Sequence, residues 1–497
     1  MAKTKDIPAL TGLQLIIGGL LLAISNFIVV LDMTVTNVSV PHIAGGLAVS
    51  IFEGTYVITS YAVAEAVIVP LTGWLASRFG TLRVFTWGMT LFGIFSAMCA
   101  LSHTLGFLVL GRIFQGLAGG PLMPLSQTLL LSIFPKDKQA TAIGIWGTTT
   151  LIAPVLGPIV GGYICDNWSW PFIFYINIPI AIVCSIFIRK ILKPFETPMQ
   201  KNKIDFVGLA LLIIWVGAFQ LMLDEGKHYD WFSSTYITLL LVVATVGFAA
   251  FMIWELTEKQ PIVDLRVFRH RGYTVSVITI SLTFGAFFGS IVLTPLWLQS
   301  TMDYTASWSG LVAAMIGILA VLMAPLAAKL STNFDPRALV CFGIMWMGTL
   351  IFFRSFCTAD MTYAQIAIPI LIQGLGMPFF FLPLTGLALS SVRPHEIASA
   401  AGLMNFVRTL AGAFAVSIAT TSWENQAKIY RAELVNLMTS TKVKLPLSIL
   451  ERLVEIQSFT LATNHIFLII SILILIASFI VWMAPRPKRS IEISGAH

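Results

Sequence analysis

Runs of eighteen or more apolar residues recur along almost the whole of this sequence. Each is long enough to cross the ~30 Å hydrocarbon core of a bilayer as an α-helix. Lipid offers no partner to a backbone amide, so such a chain has two solutions, helices or a closed barrel. A barrel would show segments of about ten residues with alternating polarity, and this chain does not. It is 57% hydrophobic and 11% charged over 497 residues, where a soluble domain carries roughly 25% charge. The fold class is an all-α polytopic membrane protein.

Fourteen spans are expected, at 13–42, 53–77, 84–102, 106–133, 139–164, 170–192, 206–223, 235–254, 272–298, 307–328, 338–356, 362–389, 396–422 and 463–484. An even number places both termini on one side, and basic residues choose the side. With cytoplasmic termini, 21 of the 30 Lys and Arg fall in inner segments, seven in outer segments (Arg354 among them), and Arg112 and Arg408 inside spans. Both termini are therefore expected in the cytoplasm. The net charge of +7 is a matter of topology and not a nucleic-acid footprint. The first run, 13–31, is too long for the core of a cleaved leader and reads as span 1. The one sizeable outer segment, 423–462, mixes charges with Leu434, Leu437, Leu447, Leu450, Leu453 and Ile456. It is expected to form short amphipathic helices, as a solvated cap or a docking surface for a periplasmic partner.

The chain echoes itself. Gln115-Gly116-Leu117 and Gln373-Gly374-Leu375 open runs ending in Pro124-Leu125 and Pro383-Leu384, and Ala142-Ile143-Gly144 matches Ala400-Ala401-Gly402. The offset is 258 residues for Gln115 against Gln373 and for Gly144 against Gly402. Spans 4 and 5 thus correspond to spans 12 and 13. The expected division is a six-helix bundle in 1–200, two inserted helices in 201–260 and a second six-helix bundle in 261–497. Parallel halves of this kind are a transporter plan, with the site near the midplane between them.

Charges inside the spans point the same way. Asp32 lies in span 1 and Glu65 in span 2, while Arg112 and Arg408 are permanent cations in apolar helices. An ionised group at the bilayer centre costs ~2.5 kcal/mol or more, so it faces a partner or water and marks an ion path. Asp32 and Glu65 are candidate proton sites, with Arg112 as the cation that tunes them. A structural alternative is that Arg112 is a static clamp between helices. Arg408 is a candidate contact for an anionic substrate. Asn37, Tyr61, Gln115, Met123, Gln373, Phe380 and Arg408 are expected to line a substrate cavity, with aromatic and Met side chains accepting varied ligands. In the turn between spans 2 and 3, Gly73, Arg78, Gly80 and Arg83 let two helices approach closely and cap their ends. Pro154, Gly157, Pro158 and Gly161 make span 5 a bent, smooth packing helix. The stretch 168–179, at the start of span 6, reads as an interfacial tryptophan belt, without chemistry.

No GxxxxGK[ST] loop, HExxH pair or arguable Ser/His/Asp set occurs, so no cofactor and no enzymatic function is expected. Five scattered cysteines without CxxC support neither a metal nor a disulfide framework. Energy would come from an ion gradient.

These strings resemble the fourteen-span drug:proton antiporters of the major facilitator superfamily. The resemblance rests on the LDxTVxNV-type stretch from Asp32 to Asn37, the Gly111-Arg112 motif of span 4 and the Gly157-Pro158 motif of span 5. The turn after span 2 departs from the pattern, with Ser77 at the usual Asp. The resemblance covers nearly the whole chain. It implies two bundles plus two inserted helices, proton-driven export of hydrophobic or aromatic compounds, and residence in a bacterial inner membrane. It further implies a periplasmic membrane-fusion adaptor and an outer-membrane channel as partners. A dedicated exporter of one metabolite, such as a siderophore or fatty acid, is the alternative.

Overall fold

The computed structural model describes residues 10, 12–135, 138–199, 204–226, 228–441 and 446–486. Among the described residues there are helices and turns and no strand. The α-helices, in order, are α1 Gly12–Gly46, α2 Ile51–Ile68, α3 Thr72–Phe79, α4 Thr81–Ala100, α5 Leu105–Gly119, α6 Leu122–Ile133, α7 Gln139–Asn167, α8 Phe172–Tyr175, α9 Asn177–Leu192, α10 Phe206–Glu225, α11 Thr235–Thr257, α12 Arg271–Thr301, α13 Ala306–Asn333, α14 Pro336–Arg354, α15 Tyr363–Gln373, α16 Gly376–Ser390, α17 Ile397–Thr441 and α18 Leu447–Ile480. Thirteen stretches are long and apolar enough to cross a membrane, and α7, bent by 44° between Thr141–Pro154 and Ile159–Asn167, is the fourteenth.

Several crossings are built from two pieces, and the sequence says where they break. α2 hands over to α3 at Val69-Pro70-Leu71, α5 to α6 at Gly120-Pro121, and α15 to α16 at Gly374. Proline lacks an N–H and glycine weakens a helix interior. The helical ladder continues up to these breaks, with Gly120 N–H to Gly116 O at 2.9 Å and Gly374 N–H to Ile370 O at 3.2 Å. Large apolar side chains stand exposed around the bundle, such as Ile182, Ile186 and Phe187 on α9 and Leu239, Val242 and Val246 on α11. On a soluble protein such faces would be an aggregation surface; hydrocarbon is the medium that suits them.

In the first group of helices α1 lies along α7, α2 against α5 and α4 against α9; in the second, α12 packs on α17 and α18, and α14 on α16 and α18. The groups meet where α7 runs along α13 and α16, and where α17 crosses α3 and α6. Small residues allow that crossing. A Cβ on Gly73 would lie 2.7 Å from Ser399 Cα, and one on Gly402 3.0 Å from Val69 O. The pair α10–α11 sits over this seam, its Leu212, Trp215 and Phe251 clustered with Val67, Leu71, Leu403 and Phe406. The turns after α3 and α13 lie at the same end of the bundle, with Arg78, Arg83 and Arg337; we call it the basic end.

The 423–462 segment is not a loop of short helices. Nothing between Gly412 and Pro446 breaks a helix, so α17 continues to Thr441 and α18 starts at Leu447. At 45 and 34 residues they are about 68 and 51 Å long, well beyond ~30 Å of hydrocarbon. They project from the end opposite the basic one as a hairpin. Trp423 Nε1 donates to Thr463 Oγ1 at 2.8 Å, and Arg431 pairs with Glu451 at 3.1 Å.

Candidate functional site

Asp32 sits mid-way along α1 and is 2% exposed. Three side chains donate to its carboxylate: Arg112 Nη1 to Oδ2 at 2.6 Å, Asn177 Nδ2 to Oδ1 at 2.6 Å, and Gln115 Nε2 to Oδ1 at 3.1 Å. Arg112 and Gln115 share one face of α5 because they are three residues apart. Arg112 Nε also donates to Val57 O at 3.0 Å and Nη1 to Gln115 Oε1 at 2.7 Å. Its guanidinium lies 4.2 Å over the Tyr61 ring. Gln115 Nε2 is fixed in turn by Ser96 Oγ at 2.7 Å. One carboxylate thus ties together α1, α2, α4, α5 and α9. A buried ion pair stabilises only when its remaining donors and acceptors are satisfied, and losing one member then costs about 3–5 kcal/mol.

A second constellation crosses between the two groups of helices. Arg408, 2% exposed on α17, places Nη2 3.0 Å from Met123 Sδ on α6. Its guanidinium lies 4.7 Å over the Phe284 ring and 5.5 Å from that of Phe381. Its Nε and Nη1 have no hydrogen-bond partner, and neither has Glu65 Oε2 on α2. The Tyr61 hydroxyl is likewise buried and unbonded. Trp146 stacks on Phe381 at 6.0 Å, extending an aromatic wall. Asp32, Glu65, Arg112 and Arg408 sum to zero when both acids are ionised. Asp32 satisfies Arg112, so Glu65 is the acid left to balance Arg408, and no ion-pair contact joins those two among the described residues. Protonating Glu65 would leave this layer with one net positive charge.

Other expected residues fall elsewhere. Phe380 is fully buried, edge-on to Phe381 at 6.1 Å. Gln373 Oε1 accepts from Arg354 at 3.1 Å within the second group of helices. Asn37 stands exposed on α1. Gly80 ends α3 at φ 91°, where a side chain is disfavoured. Over that turn sits the Glu196 carboxylate, accepting the N–H groups of Leu82 and Arg83 at 3.1 Å each. An acid does therefore stand at this turn, contributed from beyond α9 and not from position 77. Arg83 Nε lies 3.8 Å from Glu196, and Arg78 stacks 5.5 Å over Trp74. On α7, Gly157 faces Thr34, and a Cβ on Gly161 would lie 3.0 Å from Val35 O. Pro154 ends the first arm of the bend; the Pro158 side chain lies outside the described set.

Sequence reasoning missed Ser96, Asn177 and Glu196, and counted Arg354 with the charges of the outer segments, whereas it is buried. The 168–179 stretch is not merely an anchor, since it supplies Asn177. An amide in the apolar string Ile176-Asn177-Ile178 was the available signal.

The Major Facilitator Superfamily pattern matches residues 22–416. The chain is 43% identical over 426 residues to the multidrug export protein EmrB of Escherichia coli K12, covering 86% of this chain and 83% of that one. It is 41% identical over 501 residues to the fatty acid resistance protein FarB of Neisseria gonorrhoeae, covering 98% and 99%. Among solved structures it resembles the human organic anion transporter MFSD10 at a TM-score of 0.60 and 13% identity, covering 93% of this chain and 99% of that one. That last likeness concerns the fold alone.

Proposed function

Because this chain belongs to the major facilitator superfamily, we propose that it is a proton-coupled antiporter exporting hydrophobic and aromatic compounds from the bacterial cytoplasm. The observation that carries the reading is the Asp32 carboxylate, buried in the bundle and held by donors from α5 and α9. Such a group is costly in an apolar interior and is kept where it carries charge. Identity of 43% to a multidrug export protein and 41% to a fatty acid resistance protein supports export as the direction.

In this mechanism Asp32 alternates between the donor-rich node and a protonated state. When a proton neutralises the carboxylate, Arg112 keeps Val57 O, Gln115 and the Tyr61 ring, and the tie between α1 and α5 weakens. The seam at the basic end, Gly73 on Ser399 and Gly402 on Val69, then parts and the opposite end closes. Substrate occupies the layer between the groups, against Met123, Phe284, Phe381, Glu65 and Arg408. Moving one charge through 100 mV supplies about 2.3 kcal/mol, enough to concentrate an uncharged ligand roughly fifty-fold.

In this reading the chain lies in the inner membrane with both termini cytoplasmic, a placement that the bias of basic residues toward one end supports. The α17–α18 hairpin then projects into the periplasm, where it meets a membrane-fusion adaptor of the EmrA kind feeding a TolC-like outer-membrane channel. A second reading, export of one anionic metabolite such as a fatty acid, is favoured by the unpaired nitrogens of Arg408. Proteoliposomes with an imposed pH gradient and a panel of dyes, drugs and fatty acids decide the matter. Gradient-driven flux of several unrelated compounds is expected. Flux without proton coupling would overturn the reading, and flux of a single compound would select the second.

A further inference from the structure

The second group of helices rebuilds the Asp32 node without its acid. At the 258-residue offset, Gln115 corresponds to Gln373, Ser96 to Arg354, Thr36 to Thr294 and Asp32 to Ser290. The contacts follow the same plan. Gln373 Oε1 accepts from Arg354 Nη1 at 3.1 Å, as Gln115 Oε1 accepts from Arg112 Nη1 at 2.7 Å. Arg354 Nη2 donates to Thr294 Oγ1, and its guanidinium lies 4.6 Å over the Phe467 ring.

The difference lies in the charge. Gln115 Nε2 finds Asp32, but Gln373 Nε2 has no partner although Gln373 is fully buried. Ser290, at the acid's position, turns its hydroxyl to Phe287 O at 2.8 Å. Arg354 is 6% exposed, and no carboxylate among the described residues comes within ion-pair distance of it. A permanent cation in a low-dielectric interior without counter-charge is costly. Beside it lies a cavity of about 50 Å³ lined by Trp297, Arg354, Cys357, Met361, Gln365 and Ile366. That volume holds a small ion with a water or two and is far below the 300–1,000 Å³ of a drug site.

We propose that Arg354 and Gln373 form a binding site for a small monovalent anion, chloride in ordinary buffers. The anion supplies here the negative charge that Asp32 supplies in the other node, and it ties α14 and α15 together through their side chains. One node then holds a titratable charge and the other an exchangeable one.

The test is thermal unfolding of the purified full chain in NaCl, NaBr and sodium gluconate at equal ionic strength. A saturable rise of the midpoint in chloride and bromide over gluconate is expected, because a ligand bound only by the folded state stabilises it. Arg354→Gln should abolish the rise. Ser290→Asp, which returns a carboxylate to the node, should give a protein insensitive to halide. Equal midpoints in all three salts, or a halide response that survives Arg354→Gln, would overturn the site. Should that variant not fold, bromide anomalous scattering from crystals of the unaltered chain decides: a peak at Arg354 is expected, and its absence at saturating bromide refutes the assignment.

Discussion

Removing Arg112 and Asp32 together should damage this protein by less than the sum of the two single removals. Arg112→Met strips the carboxylate of its charge-assisted bond at 2.6 Å and discards the Val57 contact and the Tyr61 stack. Asp32 is left 2% exposed with two neutral donors. Asp32→Asn leaves the guanidinium equally buried, held by a backbone carbonyl, an amide oxygen and a ring. Each change strands one charge, at a cost of about 3–5 kcal/mol. The double variant strands none, so its loss should fall short of the sum by about 2–3 kcal/mol, the upper range for directly bonded neighbours. That corresponds to roughly 30- to 150-fold in the folding equilibrium. Denaturant unfolding in mixed micelles, taken round the full cycle, supplies the number. Additivity within ~0.5 kcal/mol would mean that the pair is not the coupled node described here.

Glu65→Gln removes the charge that balances Arg408 but breaks no hydrogen bond at Oε2, so it should cost less stability than Asp32→Asn while moving the pH profile of transport; unfolding and the profile, measured together, check both. Arg408→Gln should raise the apparent KM for carboxylate substrates about tenfold or more, relative to neutral ones, in a vesicle competition assay, as expected when a charge-assisted bond worth about 1.5–3 kcal/mol is lost. Gly73→Val should hold the seam open, since a Cβ there already meets Ser399; a Ser399→Cys reporter should then label faster with a water-soluble maleimide while transport falls. At the N-terminus of α14, hydrogen bonds from Arg337 hold the Asp335 carboxyl below its usual range. A lowered folded-state value stabilises above the unfolded one, ~3.9, and the benefit is lost as pH falls through it. Asp335→Asn should therefore flatten the acid limb of the stability curve.

Much of this was legible in sequence because the strongest constraint, hydrocarbon length, is written residue by residue. Of the fourteen apolar runs, thirteen are helices long and apolar enough to cross a membrane among the described residues, and the bent α7, counted as one span, is the fourteenth. The pairing of Asp32 with Arg112 could be read because each is too costly to leave alone. Neutral partners give no such signal: Ser96 and Asn177 look like ordinary polar residues until the helices bring them within 3.3 Å of one another. The 423–462 segment misled because its charges mark the end of the apolar layer, which is not the end of the helix. Arg354 misled for the converse reason. It stands at a span boundary by sequence, yet α14 delivers it into the core against Thr294, Gln373 and Phe467.

The central claim is that the Asp32 carboxylate carries the proton. The direct measurement is substrate accumulation in proteoliposomes under an imposed pH gradient, with a lumenal pH dye, comparing the unaltered chain with Asp32→Asn. The account predicts that Asn at this position abolishes both gradient-driven accumulation and substrate-induced proton movement, while passive exchange of labelled for unlabelled substrate continues. Undiminished accumulation and proton movement in a folded Asp32→Asn protein would contradict it.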